Sequence, residues 1–86
     1  GSHQKAQQHY EESLDVRRQI GDRWGMAACL DHLGTLAREM GKYEQARQLY
    51  QESLSVSQEI GDLLGIAGSF DYLGQVAREQ GRFEEA

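Results

Sequence analysis

Two short rows of polar side chains are the places where this chain could do chemistry. Asp31, Thr35 and Arg38 stand at i, i+4 and i+7, so a helix sets them on one face, with His32 and Glu39 beside them. Forty residues on, Asp71, Gln75 and Arg78 repeat the spacing, flanked by Tyr72 and Glu79. An acid, a hydroxyl or amide, and a guanidinium in a row can pair with the backbone groups and charges of an extended or helical ligand. The same rows read equally as solvated helix faces with internal pairs. Exposed pairs of that kind contribute only about 0–1 kcal/mol.

No catalytic or metal-binding constellation accompanies these rows. His9 and His32 have no ligand partner four residues away, and His-x-x-x-His and Cys-x-x-Cys spacings are absent, so no metal and no cofactor is implied. Cys29, next to Leu30, reads as a small packing residue rather than a nucleophile. Ser53 stands where a small residue fits between helices, and no glycine-rich loop follows a strand. Neither a hydrolytic triad nor a phosphate cradle is suggested. The chain is not expected to be an enzyme.

The charge balance narrows the partners. Nine Lys and Arg oppose 14 Asp and Glu, a net charge of −5 over 86 residues. A nucleic-acid binder normally shows a basic stripe, and an anionic membrane surface attracts basic segments, so neither is an expected partner. No apolar run approaches the roughly 20 residues that cross a bilayer, and no signal-peptide pattern is seen. A single cysteine permits no internal disulfide and suits a reducing, cytoplasmic compartment. Gly1, Ser2 and His3 resemble the remnant of an expression tag, leaving residues 4–86 as a single domain.

The elements that must position the two rows follow from an internal repeat. Positions 10–46 and 50–86 agree at 19 of 37 pairs, a period of 40 residues. Such a period marks a solenoid, in which each unit buries its apolar face by stacking on the next. Proline is absent, strand-type alternation is nowhere sustained, and apolar residues recur at steps of three and four, so the class is all-α. Helices are predicted over residues 4–20, 23–40, 43–60 and 63–80, with a fifth starting at residue 83. Gly21 and Gly61 end helices in the left-handed conformation, and Asp22 and Asp62 follow as N-caps. Gly41 and Gly81 are expected to end the second and fourth helices. Gly34 and Gly74 sit inside helices, where glycine costs roughly 1 kcal/mol against alanine, which implies close approach of a neighbour. Gly25 and Gly65 can serve the same end. Tyr10, Tyr43, Tyr50, Phe70 and Phe83 are expected in the core. Trp24 is read as packed on the preceding helix, with exposure as the alternative.

Leu33-Gly34, Ala37, Gly41, Tyr43, Ala46 and Tyr50, with their echo at Leu73-Gly74, Ala77, Gly81, Phe83 and Ala86, resemble the tetratricopeptide repeat. The period of 40 exceeds the usual 34. This longer variety resembles the repeats of the kinesin light chain, LGN-type adaptors and bacterial regulators. The resemblance implies an α-solenoid of antiparallel helix pairs: 4–20 as helix B of a preceding repeat, 23–60 as a full repeat, and 63–86 as a repeat truncated in its helix B. It also implies that helix A lines a concave groove, which assigns Asp31, His32, Thr35, Arg38 and Glu39, with Asp71, Tyr72, Gln75, Arg78 and Glu79, to a partner-binding face. Leu30 and Phe70 replace an early aromatic of the family pattern. Thr35 and Gln75 stand where many relatives place asparagine, which disfavours an asparagine-ladder grip. The expected function is a protein–protein interaction scaffold for a partner peptide or helix. The alternative is a self-assembly module, a homo-oligomer joined through open solenoid ends or exchanged helices.

Overall fold

Three glycines set the architecture. Gly21, Gly41 and Gly61 adopt φ of 74°, 77° and 69°, a region that only glycine enters without steric cost. Each ends a helix. In the computed structural model, which describes residues 1–85 and side chains through residue 82, the chain forms α1 (Ser2–Ile20), α2 (Arg23–Glu39), α3 (Tyr43–Ile60) and α4 (Leu63–Glu85). At the first turn the Asp22 amide reaches back to the Arg17 carbonyl at 2.9 Å, and Asp62 does the same to Ser57 at 2.9 Å. These six-residue loops satisfy carbonyls that the helix end would otherwise leave bare. Asp22 then caps α2: the Gly25 amide donates to its carboxylate at 3.0 Å, and Arg17 pairs with the same group. The Gly25 hydrogen bond, with Arg17 added, outweighs burial and holds the Asp22 carboxyl below its ordinary range.

Turns this short return each helix antiparallel to the one before. The helices stack in a plate 44 × 32 × 15 Å, in which α2 packs against all three others. α1 packs on α2 and reaches α3 through the Arg18–Glu52 ion pair at 2.7 Å. The core forms two clusters. Leu14, Ala27, Cys29, Leu30, Leu33 and Val56 fill the space between α1, α2 and α3. Ala37, Ala46, Tyr50 and Val76 fill that between α2, α3 and α4, and Leu49 packs against both clusters. Ser53 is fully buried because its hydroxyl donates to the Ala27 carbonyl at 3.2 Å, which removes the cost of an unpaired hydroxyl. All-α architecture and solenoid stacking are as predicted.

Several local expectations are corrected. Gly81 does not end a helix, because α4 continues through it to Glu85. Glycine permits either path. At Gly41 the turn is stabilised by the 18 residues of α3 packing back on α2, whereas among the described residues no helix packs back on α4 beyond Gly81. The fifth helix predicted from residue 83 is therefore not separate over residues 83–85, and its continuation at Ala86 lies outside the described residues, as does the side chain of Phe83. Phe70, expected in the core, is 57% exposed, and Trp24 stands 60% exposed rather than packed on α1. Gly34 does permit close approach: a Cβ there would stand 2.7 Å from the Tyr50 ring. Gly74, its repeat equivalent, faces nothing within 4 Å among the described residues. At Gly25 a Cβ would collide with the Arg17 and Asp22 side chains.

Candidate functional site

α2 and α4 are the two helices that carry the polar rows, and they touch along one seam. Tyr50, on α3, lies fully buried beneath it. Its hydroxyl is 2.7 Å from Thr35 Oγ1, and its ring stacks on Tyr72 of α4 with centroids 4.8 Å apart and planes 8° apart. Arg38 crosses the seam to Glu79 at 3.0 Å. Burial alone would lower the Arg38 guanidinium's affinity for its proton, but the Tyr50 hydroxyl and the Glu79 carboxylate outweigh it and hold the pKa above its ordinary value. Thr35, Tyr50, Tyr72, Arg38 and Glu79 thus form one connected set across three helices.

The other residues of the rows are placed differently. Asp31 is half-buried toward α3, with one carboxylate oxygen that has no hydrogen-bond partner among the described residues. Desolvation raises its pKa, and the Ser53 hydroxyl and His32 only partly offset that. His32 is exposed at its edge and stacks on Tyr10 of α1, centroids 4.6 Å apart at 11°. Glu39 pairs with His3 at 3.2 Å. Asp71 and Arg78 are exposed, and among the described residues no ion pair occupies either. Gln75 is half-buried. The first row is therefore engaged at helix seams, while the second leaves its acid and its base open.

Trp24 takes the alternative of its two readings, and Leu64 joins it outside the predicted rows. Trp24 lies seven residues before Asp31 and eleven before Thr35, hence in their helical phase rather than that of Leu30 and Leu33. Its repeat equivalent Leu64 is 87% exposed. Helical phase counted from the polar row places both on the open face. Tyr50 was assigned to the core, but not as the hydroxyl under the seam. Among the described residues, no group of three His, Cys, Asp or Glu side chains could hold a metal ion, and no helix is long and apolar enough to cross a membrane.

Compared with known families, the chain matches the tetratricopeptide repeat over residues 1–59 and again over residues 26–86. The two overlapping matches span both copies of the 40-residue period. The chain belongs to the tetratricopeptide repeat family. Tetratricopeptide repeats are non-catalytic helical scaffolds that generally mediate protein–protein interaction. No match is found among curated proteins.

Proposed function

We propose that this tetratricopeptide repeat unit presents the joined outer faces of α2 and α4 to a peptide or helix of a partner protein. The observation that carries the reading is the mixture left open along that seam. Trp24, Leu64 and Tyr72 are exposed at 60%, 87% and 36%, and Asp71 and Arg78 flank them without ion-pair partners among the described residues. Exposed aromatic and apolar groups beside one acid and one base suit a ligand with an apolar anchor and charges of both signs. The Arg38–Glu79 bridge and the Tyr50–Tyr72 stack fix the spacing of the two helices before a ligand arrives. Less ordering is then left to oppose binding. Asp31, Thr35 and Arg38 act beneath that surface as its support, with His32, Gln75, Glu39 and Glu79 at its margins.

The test is to select peptides by display on the immobilised chain and measure their affinity for variants. Arg78→Glu and Trp24→Ala are each expected to weaken binding by roughly tenfold or more, while Gln48→Arg on the exposed side of α3 leaves it unchanged. Peptides that ignore the first two substitutions and are lost on the third would place the docking surface on the opposite side.

A further inference from the structure

Each B-type helix in this chain has two jobs, and only α3 performs both. α3 covers α2 on one side and α4 on the other, with Ala46, Tyr50 and Ser53 fully buried and Val56 at 7% exposure. α1 is its repeat copy, carrying Ala6, Tyr10, Ser13 and Val16 at the same positions. It already does one job in the same register. Tyr10 stacks on His32 as Tyr50 stacks on Tyr72, forty residues later in both partners. The side of α1 that corresponds to the α2-facing side of α3 is open, and Val16 is 54% exposed.

α4 has the reciprocal deficit. On α2, Leu30, Gly34 and Ala37 are buried under α3, at 0% exposure for Leu30 and 5% for Ala37. Their equivalents Phe70, Gly74 and Ala77 are all exposed on α4, with Phe70 at 57%. The place where Tyr50 lies against Gly34 has an empty counterpart above Gly74. So the open face of α4 repeats the glycine and alanine of the surface that α3 covers, with Phe70 in place of Leu30. The open face of α1 carries Tyr10, Ser13 and Val16 at the covering positions, with His9 where α3 has Leu49.

We infer that α4 of one chain receives α1 of a second copy in the register of the α2–α3 pair, with Tyr10 of the incoming copy over Gly74 and Val16 beside Phe70. In that register the Tyr10 hydroxyl meets Gln75, which stands where Thr35 meets Tyr50, and Arg78 approaches it as Arg38 approaches Tyr50. Tyr10 keeps its stack on His32, because Tyr50 makes both contacts at once. Arg17 does not obstruct: it is turned toward Asp22 and Gly25 within its own chain. The contact is heterologous and continues the solenoid, so it is open-ended, and assemblies lengthen as concentration rises. This inference does not rest on the peptide-docking reading, and none of Val16, Gly74 and Ala77 belongs to that face.

The test uses two variants of the full chain at positions already exposed in the monomer, Val16→Glu on α1 and Ala77→Arg on α4. Circular dichroism melts confirm that each folds, and sedimentation velocity follows mass across a concentration series. The wild-type chain is expected to grow in mass with concentration, and each variant alone to remain monomeric. An equimolar mixture is expected to stop at a dimer, because Ala77→Arg retains a working α1 and Val16→Glu a working α4. A wild-type monomer at every concentration overturns the inference. So does association of either variant alone, or a mixture that stays monomeric or grows beyond two chains.

Discussion

α2 and α4 are copies of one helix in unequal surroundings. Leu33, Gly34, Ala37, Arg38 and Glu39 recur forty residues later without change. Yet Gly34 lies against the Tyr50 ring, while its copy Gly74 has no neighbour within 4 Å among the described residues. Ala37 is 5% exposed, while Ala77 lies open. Arg38 is held by Glu79, and Arg78 has no ion pair among the described residues. In a stacked solenoid the apolar stripe states which side of a helix can be covered, and the neighbour decides whether it is. A residue type in this fold therefore has no fixed energetic weight. Its weight is set by what stands one helix away.

Pairs of matched substitutions can break this comparison, and the largest contrast is expected at Leu30 and Phe70. Leu30→Ala should cost about 2–5 kcal/mol, because it leaves a cavity at a fully buried site. A chain of this size has roughly 4–13 kcal/mol in total, so that loss is a large fraction of its stability. Phe70→Ala should change stability by no more than about 0.5 kcal/mol at dilute concentration. Urea melts of the two variants measure the difference, and equal losses would abolish the distinction between the helices.

The second contrast is one of sign. Gly34→Ala should destabilise by about 1–3 kcal/mol, since the added methyl meets a tyrosine ring that is pinned by burial and by Thr35. Gly74→Ala meets nothing and should stabilise by up to about 1 kcal/mol through helix propensity. Thermal melts at low concentration read both.

A smaller difference separates two ion pairs. The side chains of Arg38 and Glu79 are only 18% and 29% exposed, and a double-mutant cycle should give a coupling of about 1 kcal/mol. Arg18 and Glu52 are 47% and 46% exposed, and the same cycle should give about 0.3 kcal/mol and vanish in high salt.

The smallest effect is expected at Asp31. Its folded-state pKa is raised by burial, so the protonated form is favoured in the fold. That contribution is complete below the ordinary value of 3.8 and is lost as pH rises through the folded value. Asp31→Asn should therefore raise the melting temperature at pH 7, with the gain shrinking to nothing near pH 3. A gain independent of pH would remove the buried carboxyl as its cause.

The same contrast explains what could be read from sequence. Gly21, Gly41 and Gly61 end helices as predicted, because a left-handed turn is a local demand that glycine meets by itself. Leu30, Leu33 and Ala37 were legible as core because a full repeat surrounds them. Phe70 and Gly81 were misread by analogy with Leu30 and Gly41, since their fate depends on a packing helix and not on local type. Trp24 takes the exposed one of its two readings, which its helical phase with Asp31 and Thr35 requires. The polar rows could be found by spacing alone. Which of their members support the seam and which stay open required knowing that Tyr50 rises between α2 and α4.

Cys29 offers a last consequence. It is the sole thiol, 5% exposed, and donates to the Ser13 hydroxyl at 3.4 Å across the α1–α2 boundary. Modification by an alkylating reagent must wait until α1 lifts away, since a shielded sulfur is inert. The speed of that labelling is thus a clock for the peeling of the first helix. It runs independently of any signal from the Tyr50 region, and needs no added probe.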